Sequence, residues 1–272
     1  MRYLFITLFS IWICNAQLSI TTIKLPSLLE ETSGLELVGD NLMTINDSGD
    51  KPVLYIFSKE GKLIKSIRYY EFKNKDWEDL AADDEFYYIA DTGNNYATRE
   101  NLKIHIVDKN FDPKGTIRIR YEAQKIFSKE IRNAYDAEAL ASVGDHLVIF
   151  SKNRLSLQSE IYSFPKTEGI YSLIPDAIID TESLITAADY NSEFDLMVLT
   201  GYDFNGLQFF YTIENFVLNG YDNIDLKRYL IPVKPAQIEA VKIINNSEFW
   251  ITSESELKGA PRLFHLKLDR SK

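Results

Sequence analysis

The chain has 272 residues, of which 45% are hydrophobic and 13% aromatic, with 40 acidic residues against 30 basic ones and a single cysteine. A net charge of −10 argues against nucleic acid or an anionic membrane surface as a partner. One cysteine excludes a disulfide framework, so stability has to come from a hydrophobic core, which a chain of this length can readily build.

Residues 1–16 read as a secretory signal. Arg2 supplies the charge, residues 3–14 are almost wholly apolar, and Cys14-Asn15-Ala16 offers small residues for cleavage before Gln17. Cys14 could instead carry a lipid anchor, but the bulky Ile13 before it argues against that. No later segment approaches the ~20 apolar residues of a membrane span. Without residues 1–16 the chain has 29 basic against 40 acidic residues and no cysteine. The expectation is an exported protein, extracellular or periplasmic, with one domain over residues 17–272 and a monomeric state.

A short pattern then returns five times: Ser33-Gly34-Leu35, Glu78-Asp79-Leu80, Glu138-Ala139-Leu140, Ala187-Ala188-Asp189 and Glu239-Ala240-Val241. Eleven positions after the last residue of each stand Asn46, Asp91, Ser151, Thr200 and Thr252. Short runs rich in Tyr, Phe, Ile, Val and Thr, with no sustained helical period, predict antiparallel strands. The first module has strands at 34–38, 42–46, 53–58 and 63–69. The second has them at 78–82, 86–91, 102–108 and 116–124. The third has them at 138–143, 146–151 and 160–165, with a last one within 171–180. The fourth has them at 186–191, 196–200, 208–215 and 224–231. The fifth supplies only 238–244, 249–253 and 263–268, and residues 19–25 provide its missing outer strand. Repetition of one four-strand unit predicts an all-β, five-bladed β-propeller closed by its N-terminal strand. A six-bladed ring is the alternative, if the 60 residues between Leu80 and Leu140 conceal another blade. An open β-sandwich would leave the repeat unexplained.

In such blades the start of the inner strand and the loop from second to third strand share one end. The opposite turns are minimal, whereas these loops are longer and chemically loaded, so this is the expected working face. Ser33, Glu78, Glu138 and Glu239 would ring the mouth of the central channel. Three converging carboxylates repel one another unless protonated or neutralised. Ca²⁺, which accepts six to eight oxygens in flexible geometry, would resolve the conflict better than Mg²⁺. The alternative is that these side chains simply bond neighbouring blades together. His105, His146 and His265 stand apart from the ring, which argues against zinc.

On these landmarks the chain resembles the calcium-activated nucleotidases, or apyrases, through Ser33-Gly34-Leu35 with Asn46-Asp47 in the first blade and Trp77-Glu78-Asp79-Leu80 in the second. The resemblance implies a five-bladed propeller with one Ca²⁺ in the channel, held by Ser33, Glu78, Glu138 and Glu239. Ala187 departs from the family pattern in the fourth blade, where Thr186 is the neighbouring oxygen. More distantly the chain is similar to phytase-like and lactonase-like secreted propellers.

A phosphoryl substrate would then find Lys152, Arg154 and Arg99 to neutralise its charge, Asp47 or Asp91 to accept a proton from water, and Tyr202 to stack on a ring. Two other classes remain. The channel glutamates could serve a glycosidase, or the face could bind a protein or glycan without turnover, its calcium purely structural.

Overall fold

The computed structural model describes residues 18–233, 236–255 and 259–270. The proposed signal segment and Cys14 lie outside them, as does Glu256. Strand β1 (Leu18–Lys24) opens the described chain and pairs along its whole length with the last strand. Blade 1 comprises β2 (Thr32–Val38), β3 (Asn41–Asn46), β4 (Val53–Phe57) and β5 (Leu63–Arg68). Blade 2 comprises β6 (Asp79–Ala82), β7 (Phe86–Asp91), β8 (Lys103–Asp108) and β9 (Pro113–Tyr121). Blade 3 holds β10 (Ala137–Val143), β11 (His146–Ser151) and β12 (Ser159–Pro165). The chain then makes β13 (Gly169–Leu173) and β14 (Ala177–Ile179). Blade 4 is β15 (Leu184–Asn191), β16 (Leu196–Tyr202), β17 (Gln208–Glu214), a short helix α1 (Phe216–Asn219) and β18 (Leu226–Leu230). Blade 5 is β19 (Ile238–Ile243), β20 (Glu248–Ser253) and β21 (Arg262–Leu268), completed by β1. The fold is therefore a five-bladed β-propeller, and the N-terminal strand closes it as the missing outer strand of the fifth blade.

The long interval before Leu140 holds no sixth blade. Its residues go into the nine-residue β9 and a crossing segment that carries no strand. The predicted last strand of the third module divides in two. Only β14 stays in blade 3, against β12, while β13 crosses to blade 2 and pairs in parallel with β9. Blade 2 thus has five strands.

Burial follows position in the blade, which is why the strands read so differently. The middle strands are covered on both faces by neighbouring blades, so β11 is apolar without alternation (Leu147-Val148-Ile149-Phe150). The outer β5 is mostly exposed and reads Leu-Ile-Lys-Ser-Ile-Arg. Five apolar clusters result, one between each pair of adjacent blades, in place of a single core. No helix among the described residues is long and apolar enough to cross a membrane.

Near the axis the inner strands come close. Gly34 has φ +63°, and a Cβ there would lie 2.5 Å from the amide nitrogen of Leu80, so only glycine fits. Asp79, fully buried, ties three blades: it accepts from the amides of Leu80 (2.8 Å), Leu140 (2.8 Å) and Ala188 (3.2 Å). Lys242 joins blade 5 to both its neighbours, its Nζ lying 2.8 Å from both Glu36 and Asp189. Asp189 also accepts from the Ile243 amide at 2.7 Å.

Candidate functional site

The inner strands share a local irregularity at the landmark residues. The ladder register skips one residue between Ser33 and Leu35, Ala137 and Ala139, Ile185 and Ala187, and Ile238 and Ala240. Such bulges re-aim a side chain, and the residues they displace are Gly34, Glu138, Thr186 and Glu239. In the fourth blade the equivalent of the glutamates is therefore Thr186, one position before the alanine that sequence alignment selects.

The ring members divide by chemistry. Both hydroxyls fasten blades together. Ser33 donates to the carbonyl of Glu78 and, at 3.3 Å, to that of Glu239. Thr186 donates to the carbonyl of Ile238 at 2.6 Å. Glu138 is ion-paired with the buried Lys152, and Arg154 approaches its other oxygen at 3.6 Å. Glu239 accepts from Gln237 at 2.6 Å. Burial works against the charge on Lys152, but Glu138 and then Glu239 outweigh it and raise its pKa. The Lys152 ammonium is thus paired with Glu138 and attracted by Glu239, and it lies 5.0 Å above the ring of Tyr202.

Glu78 is different. It is 3% exposed, and its Oε1 is buried without a hydrogen-bond partner. Its neighbours are acids: one oxygen each from Asp47, Asp76 and Glu78 lie within 4.8 Å of one another. Burial first, and then Asp47, Glu138, Asp76 and Asp136, drive the Glu78 carboxyl well above the usual range. Burial is also the main reason Asp47 is pushed up to about 7 and Asp76 is raised. Glu254, 8% exposed, adds to the same field and is lifted to about 10 by burial, then by Glu239, Glu31 and Asp47.

The approach of these carboxylates requires Gly93. A Cβ on that residue would lie 1.9 Å from Glu78 Oε1 and 2.5 Å from Asp76 Oδ2. Asp91 and Arg99 hold this glycine in place. Arg99 donates to Asp91 Oδ1 (2.7 Å), the Asp91 carbonyl (3.2 Å) and the Gly93 carbonyl (2.6 Å). Asp91 in turn accepts from the Asp76 amide at 3.2 Å. Both are nearly inaccessible, at 0% and 8% exposure, so they build the site from behind and do not offer themselves to a substrate. Arg154 is likewise engaged, by Asp136 and by Asn95 Oδ1 at 2.6 Å.

Of the metal ligands expected from sequence, only Glu78 belongs to the unneutralised cluster. Asp47, expected as a proton acceptor, joins it. Asp76, Asp136 and Glu254 were missed. Two of them had a readable signal: Asp76-Trp77-Glu78 and Asp136-Ala137-Glu138 repeat an acid two residues before the ring glutamate, and side chains at i and i+2 leave an extended strand on the same side.

No protein-family model matches the chain, and no curated protein matches its sequence. Among solved structures, the PQQ-bound form of the aldose sugar dehydrogenase of Streptomyces coelicolor is similar over 93% of this chain and 99% of its own, with a TM-score of 0.52 and 11% identity. A Bacteroides fragilis protein described as exported aligns over 93% of this chain and 96% of its own, with a TM-score of 0.46 and 9% identity. The Pan2 WD40 domain of Neurospora crassa aligns over 89% and 76%, with a TM-score of 0.42 and 9% identity. At 11% identity the likeness to the dehydrogenase shows the fold, a β-propeller, and nothing of the chemistry.

Proposed function

We propose that the open face binds a divalent cation, Ca²⁺, at Asp47, Asp76 and Glu78, and that the protein is an exported, calcium-dependent hydrolase of phosphoryl compounds. The observation that carries this reading is the orphaned, buried Oε1 of Glu78 among like charges with which no basic group of the described residues forms an ion pair. Three oxygen donors with no nitrogen or sulfur suit a hard cation. Ser33 and Glu138 then flank the ion site without coordinating, because their polar atoms are already engaged, and Glu239 is held through Oε1 by Gln237.

A bound Ca²⁺ supplies a Lewis acid that draws in phosphate oxygens and acidifies water. The strongly acidic mouth would otherwise repel a phosphoryl group. Lys152 and Arg154 add positive charge beside the cluster, and Tyr202 lies beside Lys152. The resemblance to the calcium-activated nucleotidases supports the same substrate class.

The test is titration calorimetry with Ca²⁺ on protein purified in chelator, paired with a phosphate-release assay on nucleoside di- and triphosphates. Saturable binding that is lost in Glu78→Gln, with release stopped by chelator, is the expected result. Absence of binding ends the reading. A second reading has its own support, since Lys152 and Arg154 are both held by acids and so less available to a phosphate. Binding without turnover would make the face a protein- or glycan-recognition surface with a structural ion. Glycoside hydrolysis that survives chelation would reassign the glutamates to acid–base work.

A further inference from the structure

A second group of charged and polar side chains lies away from the mouth, on the face of blade 2 turned towards blade 1. Register places Asp91, Lys103, Arg118 and Ile170 in one row across β7, β8, β9 and β13. His105 and Thr116 form the next row, and Arg120 follows Arg118 on the same side. A cavity of about 590 Å³ opens over this face, with Phe72 of the segment joining blades 1 and 2 on its other side. That volume is in the usual range for a small-molecule pocket, roughly 300–1,000 Å³.

Its charges are arranged against ordinary sheet chemistry. Lys103 and Arg118 stand directly opposite each other, which costs stability when nothing intervenes. Lys103 is drawn towards Asp91 at 3.6 Å. Among the described residues neither Arg118 nor Arg120 makes an ion pair or hydrogen bond through its guanidinium, although Glu71 and Glu100 border the same cavity. The floor is His105, 4% exposed and stacked on Phe72 at 4.0 Å, with both ring nitrogens buried and without a hydrogen bond, Nε2 lying 4.0 Å from Asp91 Oδ2. In a chain of net charge −10, two arginines without an ion pair thus stand above a buried imidazole without a hydrogen bond.

We infer that this groove binds a small molecule through a tetrahedral oxyanion, phosphate or sulfate, gripped by Arg118 and Arg120 with Lys103 and His105 beneath. The guanidinium fork matches such oxyanions with two parallel hydrogen bonds. An anion between Lys103 and Arg118 turns their repulsion into shared attraction. Ile170 on one side and Phe72 on the other provide apolar contact for the rest of the molecule. The fifth strand of blade 2 makes the groove, since Ile170 is borne by β13.

The site is independent of the cation, so the experiment is run in chelator. Imidazole NMR signals of the three histidines are followed while inorganic phosphate, and separately sulfate, replaces chloride at constant ionic strength. The expected result is a saturable shift at His105, with His146 and His265 unmoved, and affinity roughly tenfold or more weaker in the double variant Arg118→Gln/Arg120→Gln. Both arginines are exposed, so the double variant should keep the wild-type melting temperature. Saturation by one anion alone supports the inference and identifies the oxyanion. No saturation with either anion, equal affinity in the variant, or parallel shifts at all three histidines overturns it.

Discussion

Glu78 and Asp79 are consecutive, belong to the same inner strand region, and are 3% and 0% exposed. Asp79 points to the axis and receives three backbone amides from three blades. Glu78 points to the mouth, where one of its oxygens receives nothing and its neighbours are Asp47 and Asp76. Burial raises the pKa of both, but at Asp79 three N–H groups oppose that rise, whereas around Glu78 the neighbouring charges add to it. Equal burial therefore says little about a carboxylate's role. What separates a structural latch from a ligand is whether the fold has already supplied donors.

The largest effect should come from breaking the latch. Asp79→Ala strands three buried amides and should cost roughly 3–5 kcal/mol, read as a lowered urea midpoint with an unchanged slope. If Asp79→Ala costs no more than a surface substitution, the contrast with Glu78 fails. Next in size is the cation itself. Ca²⁺ at 100 times its dissociation constant should stabilise the chelated protein by about 2.7 kcal/mol. Gly93→Ala should abolish that gain, because its methyl group would occupy the place of Glu78 Oε1.

Glu78→Gln sharpens the comparison in the opposite direction. It should leave the chelated protein as stable or more stable, by on the order of 1 kcal/mol, the scale of one pKa unit, while removing the calcium response. A large loss of stability would mean that Glu78 is a latch after all.

The most gradual effect is in pH. Asp47 is raised from 3.8 to about 7, so over that range the folded chelated protein keeps a proton that the unfolded chain has released. Stability without cation should therefore fall as pH rises from 4 to 7, and saturating Ca²⁺ should flatten the slope. A melting temperature that climbs over this range in chelator would contradict the assignment.

The blades were legible because their cause is local. A polar two-residue turn such as Gly144-Asp145 between runs such as Leu140–Val143 and Leu147–Phe150 specifies a hairpin from short-range chemistry alone. Closure by the N-terminal strand was legible too, since one module lacked a strand and one strand lacked a module. The division of 169–179 was not. Which blade β13 joins depends on an edge that β9 presents only once folded, and no local pattern distinguishes that partner from β12. The site was legible in half. Glu78 and Asp47 stand out as acids at repeat landmarks, but that Lys152 would cover Glu138 and that Asp91 would be consumed by Arg99 are contacts between loops of variable length.

From the amino-acid order alone came the repeat, the strand chemistry, the closure and the face on which function gathers, because turn propensity, period-two patterning and loop length act over a few residues. The tertiary structure alone decided which acids are neutralised from within and which are left for a ligand. Coulomb interactions depend on distances between blades, and a bulge of one residue is enough to move Thr186 into place and Ala187 out of it.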